Sequence, residues 1–436
     1  MRLVGVISLG CAKNLVDTET MLGILKESGY SLTSNFEEAE VIIINTCGFI
    51  KQAKEESVDA ILGAVNYKKS GSVKKIIVTG CLSQRYRREL EKEFPEIDAF
   101  LGVNEYPQIN RVVEGNSVLW SEKYFLYNHL HPRVLTTPPS WVYLKISEGC
   151  SHQCSFCAIP FIRGPYRSRE IDSIIIEAQN LASQGIKELN LISQDTTFYG
   201  QDLDLKDGLT QLLKKLIEIE GIEWIRILYS YPEEITDSLL EILNEEKICS
   251  YLDIPFQHSD EKIIKKMVRG TDGKRALKLI RKIRKKVPDI TLRTSLIVGF
   301  PGEGEREFEN LKNFCRKAEF DRLGVFTYSQ EEGTPAFLLG DPVSEKIKER
   351  RKKEIMELQA EISYEKNKRL IGQRFEAIIE GHSEQNPQYL VGRLKSQAPE
   401  VDGVVLIENN NSQYQFLKEI DINEAFVYDL KGKIIK

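Results

Sequence analysis

The chain has 436 residues, 41% of them hydrophobic and 29% charged, with a formal net charge of −5. Its length suits two or three domains of about 100 to 200 residues each, and it contains no apolar run near the roughly 18 residues needed to span a membrane. The opening MRLVGVISLGC lacks a basic region leading into a signal-type apolar stretch, and eight cysteines are too sparse for a disulfide scaffold, so the expected compartment is the reducing cytoplasm.

From the amino terminus, short apolar runs alternate with helical patterns: VGVISLG, LVDTETMLGILKESG, VIIINT, a lysine-rich helix and KIIVTG. Strand, helix, strand, helix, strand predicts a parallel sheet built from right-handed crossovers. Cys11, Cys47 and Cys81 each follow one of the three runs, at the carboxyl edge where open sheets bind their ligands. They are 36 and 34 residues apart, yet adjacent parallel strands lie only about 4.8 Å apart. Three thiols at equivalent strand ends point to one shared cluster; the competing reading is three small buried hydrophobes. Cys249 and Cys315 have no such partners and read as core.

The run HPRVLTTPPS, residues 131–140, holds three prolines and predicts an extended linker. Beyond it, EGCSHQCSFCAIP carries Cys150, Cys154 and Cys157. Zinc sites close their shell with four ligands and low-potential four-iron clusters are normally held by four thiolates. A set of three leaves one iron open for a reactant. His152 is a ligand by type but lies inside the loop between two cysteines, and reads as a loop residue.

Six strand patterns follow from Trp141: WVYLKIS, ELNLIS, WIRILYS, YLDIP, LRTSLIVGF and RLGVFTYS, with helices between most of them. They predict a barrel-like parallel sheet whose carboxyl ends form the active face. Those ends carry Ser193, Gln194 and Asp195, Tyr229 to Tyr231, Gln257 and His258, and Arg293 to Ser295. The GFPGE segment from Gly299 would let backbone approach a ligand closely. Phe156, Gln194, Gln257, Arg293 and Ser295 are the candidate cofactor contacts. Arg163, Arg167 and Arg169 offer guanidinium forks suited to a carboxylate or phosphate, or else a solvated basic loop.

From Val343 to Leu370 a charged helical segment is expected to pack an apolar stripe along the barrel. After Gly372 five alternating strands, RFEAIIEG, YLVGRL, VVLIEN, QFLKEI and FVYDLKGKII, predict a small closed barrel. From Ile371 onward there are seven Lys and Arg against ten Asp and Glu. That balance opposes the basic footprint needed for a phosphate backbone and would steer a basic protein instead.

CxxxCxxC with its aromatic flanks resembles the radical S-adenosylmethionine enzymes, and SLGCAKNLVDTE, NTCGFI and TGCLSQRY extend the resemblance, over essentially the whole chain, to the methylthiotransferases of that family. The resemblance implies three parts, an α/β chain overall. A parallel α/β domain, residues 1–130, would carry an auxiliary cluster on Cys11, Cys47 and Cys81. A radical S-adenosylmethionine core, a partial (β/α)6 barrel over 136–368, would hold a second cluster on Cys150, Cys154 and Cys157. A TRAM barrel, 370–436, would end the chain. Two 4Fe-4S clusters and S-adenosylmethionine are the implied cofactors. One S-adenosylmethionine would methylate sulfur at the first cluster, and a second would yield the hydrogen-abstracting radical at the other, so no side chain is assigned as catalytic.

Within the family, SQDTTFYG, DIPFQHSDEKIIKKM, FTYSQEEGTPAF and VGRLKSQAPEVDG resemble the branch that modifies the beta carbon of an aspartate in small-subunit ribosomal protein twelve. The other branch modifies an adenosine in transfer RNA. In the last segment the family usually has another residue or two between Arg393 and APE. The implied partners are a basic ribosomal protein as substrate and an electron donor and sulfur donor of unassigned identity, with transfer RNA disfavoured and no membrane. A redox protein whose clusters only carry electrons is the reading from another class; it predicts filled iron ligands, where the sequence offers two sets of three.

Overall fold

The computed structural model of the chain describes residues 2–121, 123–408 and 416–435. Its first sheet contains β1 (Leu3–Ser8), β2 (Ser31–Thr33), β3 (Val41–Thr46), β4 (Lys75–Gly80) and β5 (Ala99–Phe100), all parallel, in the order β2-β1-β3-β4-β5. β3 reads as a near-continuous apolar run because it is buried at every residue, as a strand covered on both faces must be. Ile42, Ile44, Ile76 and Val78 pack against the helix Lys51–Ser70 on one face; Val4, Ile43 and Ile77 meet Met21 and Leu25 of the helix Ala12–Glu27 on the other.

The second sheet joins β6 (Trp141–Lys145), β9 (Glu188–Ile192), β10 (Trp224–Ile227), β11 (Ile248–Asp253), β12 (Thr291–Val298) and β13 (Arg322–Thr327) in chain order, all parallel and open. Between β6 and β9 a short antiparallel ribbon, β7 (Ser147–Glu148) with β8 (Arg167–Ser168), closes the base of the CxxxCxxC loop. Helices pack on the outside through one large apolar core. Cys315 belongs to that core and Cys249 to the barrel interior, both almost wholly buried.

A closed barrel of β14 (Arg374–His382), β15 (Tyr389–Leu394), β16 (Val405–Glu408), β17 (Leu417–Ala425) and β18 (Leu430–Ile434) completes the fold. The QFLKEI segment begins its strand at Leu417; Gln415 lies outside the described residues. No helix among the described residues is long and apolar enough to cross a membrane.

Two expectations change. The connecting helix, Glu345–Lys368, buries Lys348, Arg351, Ile355, Gln359, Ser363 and Asn367, a stripe with helical spacing but mostly polar. Each polar member has a partner: Lys348 donates to the Tyr328 carbonyl, Arg351 to Glu303, Gln359 to the Phe320 carbonyl, Ser363 to the Asp321 carbonyl and Asn367 to the Phe426 carbonyl. Buried polar groups are tolerated on those terms.

The proline-rich segment, residues 131–140, carries no helix or strand, in keeping with an extended linker, and it is pinned in place. Glu19, fully buried, accepts from Arg133 at 2.6 Å and from the Thr136 amide at 2.7 Å, and Gly23 leaves no room for a side chain against the Pro132 carbonyl.

Lastly, part of the small barrel's acidity points inward. Glu376 accepts from Trp224 Nε1, Glu400 from Tyr143 Oη and Asp402 from Tyr251 Oη, while Arg393 joins Glu380 and the buried Glu188. These carboxylates dock the small barrel into the interior of the large one, so the sequence balance overstates the acidic surface available to a partner.

Candidate active site

The carboxyl ends of β1, β3 and β4 are neighbours, and the register pairs Ser8 with Asn45 and Thr46 with Gly80. Cys47 and Cys81 therefore stand side by side, one residue past their strands, and Cys11 caps the helix that follows β1. Gly10 at φ +90° allows the approach: a Cβ there would lie 2.7 Å from that of Cys47. The three thiols perturb one another. Burial, reinforced by Cys81, pushes Cys47 up to about 12. Cys81 is raised by burial despite Arg163, and Cys11, although exposed, is lowered because Lys13 and Arg163 outweigh the desolvation imposed by the surrounding protein.

The second trio lies in the loop between β7 and β8. Ser155 fixes that loop to the barrel mouth: its amide donates to the Met267 carbonyl, its hydroxyl to the Lys266 carbonyl, and its own carbonyl accepts from the Ala336 amide. Burial raises Cys150 to about 11 and Cys157 to about 12, with Cys154 adding to both. Among the described residues no group of three or more His, Cys, Asp or Glu surrounds a single metal ion. A four-iron cube takes its thiolates at separate corners, so its cradle is wider than the shell of one ion. Three soft thiolates suit such a cluster chemically, and all six cysteines are free.

The trios back onto one another. Ala158, the residue after Cys157, packs with Ile162 against Cys81 and Val103. From the short helix Ile159–Arg163, Arg163 donates to Cys81 Sγ at 3.5 Å, to Asn14 Oδ1 at 3.1 Å, to Asp17 at 2.6 Å and to Glu148 at 3.2 Å. Lys145 bonds the same two carboxylates at 2.5 and 2.9 Å. Two cations and two anions thus form a buried, charge-balanced knot between the first domain and the barrel. Lys145 and Arg163 hold the Glu148 carboxyl well below the usual carboxylate range against the opposing effect of burial.

This corrects the reading of the arginines as carboxylate or phosphate ligands. Arg163 is used internally, Arg169 pairs with Glu177 at 2.7 Å, and Arg167 caps the Pro165 and Arg163 carbonyls over the Tyr124 ring. The Gly299 approach is likewise internal, made to the methylenes of Lys348 rather than left open.

Among the candidate cofactor contacts, Phe156 packs beside Met267, Phe300 and Tyr328. Gln194 donates to Glu148 Oε1 at 2.8 Å. Gln257, at φ +67°, bridges to β12 next to the half-buried Ser295. Arg293 lies deeper, third in an eight-residue strand, with Asp253 at 2.9 Å and Asp402 at 3.7 Å.

Sequence reasoning missed Arg269, which donates to Cys154 Sγ at 3.7 Å and lies over the Tyr231 ring, 4.1 Å from its centroid. His152 also stacks on the Tyr231 ring, with centroids 3.7 Å apart, and hydrogen-bonds Asp195 at 2.5 Å, which occupies its Nε2. Arg269 sits in a stretch rich in lysine and arginine, and nothing in that pattern singles it out. Asp17 and Glu148 lie inside the cysteine motifs, and that proximity was the available signal.

An open six-stranded parallel barrel with a three-cysteine loop after its first strand is the radical S-adenosylmethionine class, and residues 144–315 match the radical SAM superfamily. Residues 3–102 match the uncharacterized protein family UPF0004 and 371–435 the TRAM domain. The radical S-adenosylmethionine methyltransferase TsrM of Kitasatospora setae, solved with a SAM analogue, shares the fold at TM-score 0.56 and 11% identity, over 89% of this chain and 80% of that one. Another structure of that enzyme, with cobalamin and a [4Fe-4S] cluster, gives TM-score 0.55 at 13% identity over 77% and 74%. Much nearer in sequence are proteins named ribosomal protein uS12 methylthiotransferase RimO. That of Pelobacter propionicus is 46% identical over 99% of this chain and 97% of its own length; that of Natranaerobius thermophilus is 49% identical over 99% and 98%. The chain belongs to the RimO family of radical S-adenosylmethionine methylthiotransferases.

Proposed function

We propose that this protein transfers a methylthio group to the beta carbon of an aspartate in ribosomal protein uS12, consuming two S-adenosylmethionine molecules and a sulfur donor. The observation that carries the reading is the contact between the trios: the residue after Cys157 packs on Cys81, and Arg163 reaches Cys81 from the helix that ends the other loop. Cys11, Cys47 and Cys81 would hold one 4Fe-4S cluster and Cys150, Cys154 and Cys157 the other. When bound, these clusters with S-adenosylmethionine supply hydrogen-atom abstraction at one trio and methyl and sulfur delivery at the other.

The chain's own contribution is placement. Asp17, Lys145, Glu148 and Arg163 fix the two loops in one frame, and well-oriented partners reach effective molarities of about 10⁵ M or more. The raised thiols of Cys47, Cys150 and Cys157 give up their protons as iron binds. Phe156, Gln194, Gln257, Arg293 and Ser295 are the side chains assigned to S-adenosylmethionine; Arg293 also pairs with Asp253 and with Asp402 of the small-barrel segment. The relatives' names favour the protein substrate over transfer RNA, and a ribosomal substrate puts the enzyme in the cytoplasm.

The test is anaerobic reconstitution with S-adenosylmethionine, sulfide and reductant, offering uS12 and unmodified transfer RNA together, followed by mass spectrometry. A methylthio mass gain on a uS12 aspartate is expected. Gain on adenosine alone would overturn the substrate, and a reduced electron paramagnetic resonance spectrum indifferent to S-adenosylmethionine would return the chain to electron transfer.

A further inference from the structure

Arg269 follows the short helix Glu261–Lys266, where the chain reverses through Val268 in a left-handed conformation, φ +54°. A β-branched residue strongly disfavours that region, so the turn persists only because its surroundings hold it. The Val268 amide donates to the Lys265 carbonyl, the Arg269 amide to the Ile264 carbonyl, and the Met267 carbonyl accepts from the Ser155 amide. The strained turn is thereby tied to the CxxxCxxC loop at the residue after Cys154.

The result is one fixed guanidinium. Its Nη1 donates to Cys154 Sγ at 3.7 Å, its Nη2 to the Pro255 carbonyl at 2.6 Å beyond the end of β11, and its Cζ lies 4.1 Å from the Tyr231 centroid. Tyr231 is stacked in turn on His152, which Asp195 holds. The carbonyl and the ring carry no net charge, and among the described residues no carboxylate forms an ion pair with Arg269; Glu233 accepts instead from Thr271 Oγ1 at 2.7 Å. The anion bonded to this cation is therefore the Cys154 thiolate. Three thiolates on a four-iron core give a net negative cluster, and reduction makes it more negative by one charge. The potential of such a cluster follows its net charge and the hydrogen bonds to its sulfurs. A charged donor on a ligand sulfur favours the reduced form over the oxidised one, because the bond strengthens as the sulfur gains charge.

We infer that Arg269 sets the reduction potential of the cluster on Cys150, Cys154 and Cys157, raising it into the range of an external one-electron reductant. This rests on the cluster assigned to that trio above. One electron enters from the reductant and passes to the sulfonium of S-adenosylmethionine; a carbon–sulfur bond breaks to give methionine and the deoxyadenosyl radical, and the cluster returns to its oxidised state. Arg269 exchanges neither proton nor electron in that cycle, since a guanidinium stays protonated throughout.

The experiment is a potentiometric titration followed by electron paramagnetic resonance, on full-length enzyme loaded anaerobically with both clusters. The enzymes are wild type, Arg269→Met, Arg269→Gln and Arg269→Lys. At a fixed potential the ratio of reduced to oxidised cluster at this trio should fall roughly tenfold in Arg269→Met, the scale of one charge-assisted hydrogen bond, which is a shift of about 59 mV for one electron. Arg269→Gln, with an N–H donor and no charge, should fall nearly as far, and Arg269→Lys should keep most of the wild-type ratio. The cluster on Cys11, Cys47 and Cys81 is the internal reference and should not move; its signal is identified in the chain with Cys150, Cys154 and Cys157 replaced by alanine. Iron content and S-adenosylmethionine affinity should match wild type in all three variants. An unmoved potential in Arg269→Met, or an equal shift of both clusters, would overturn the inference, as would a wild-type ratio in Arg269→Gln. Loss of iron in Arg269→Met would make the residue a structural clamp on the loop and overturn the electrostatic role. Loss of S-adenosylmethionine affinity with the potential unmoved would give the guanidinium to the cofactor's carboxylate and do the same. If the wild-type trio binds no iron, the cluster assignment itself falls and takes Arg269 with it.

Discussion

Replacing Asp17 with asparagine keeps the shape of a buried side chain and removes one charge from the knot that joins the first domain to the barrel. The side chains of Asp17, Lys145 and Arg163 are 3%, 2% and 2% exposed, and that of Glu148 is 8% exposed. In Asp17→Asn two buried cations would share Glu148 alone. Breaking a buried pair in this way costs about 3–5 kcal/mol. The loss falls on the contact between domains, because the knot links the helix Ala12–Glu27 to β6 and the helix Ile159–Arg163 while each hydrophobic core keeps its own packing.

A chain of several domains does not unfold in one step, so the assay is local: limited proteolysis and hydrogen exchange across residues 115–140. An interface weakened by about 3–5 kcal/mol opens roughly 10²–10⁴-fold more often. The double variant Asp17→Asn with Arg163→Met should recover to within about 1 kcal/mol of wild type, since Lys145 and Glu148 then match again. Cleavage of Asp17→Asn at the wild-type rate would refute the reasoning, as would a double variant worse than the single one. Acid gives an independent check. The Glu148 carboxyl is held below its ordinary 4.5, so its stabilisation is complete above that value and is lost only as pH falls through the depressed one. Wild type and Glu148→Gln should therefore differ at neutral pH and converge in strong acid.

Two further outcomes follow from the thiols. Alanine at Cys11, Cys47, Cys81, Cys150, Cys154 or Cys157 should remove about half the bound iron, whereas Cys249→Ala and Cys315→Ala should keep it and cost only about 1 kcal/mol of stability; iron loss in either of the last two, read by metal analysis, would break the assignment. In the metal-free chain, exposed Cys11 with its lowered thiol should be the first labelled by iodoacetamide. Cluster assembly should quicken from pH 7 to 9, because Cys47 and Cys157 near 12 and Cys150 near 11 must shed protons, and a flat profile would contradict the buried environment of these thiols.

Both cysteine sets were legible because their information is local. CxxxCxxC lies within eight residues, and each of the other three cysteines follows an apolar run; two of those runs are buried on both faces, as central parallel strands are. The arginines were misjudged for the opposite reason. Arg163 looked available for a ligand while its partners, Asp17 and Asn14, stood about 150 positions earlier in another domain. The connecting helix misled in the same way: its periodicity was readable, but which stripe packs depends on carbonyls that the barrel leaves for Gln359, Ser363 and Lys348.

By itself, then, the sequence determined the three-part α/β architecture and the parallel pairing of its first strands, and it singled out six thiols as candidates, all consequences of periodicity and short spacing. Tertiary structure alone decided how charge is shared. It turned Glu376, Glu400 and Asp402 inward to dock the small barrel, and joined Asp17 and Glu148 to Lys145 and Arg163. A charge acquires its role from what desolvates it and what lies within a few ångströms, and both are set by segments far apart along the chain.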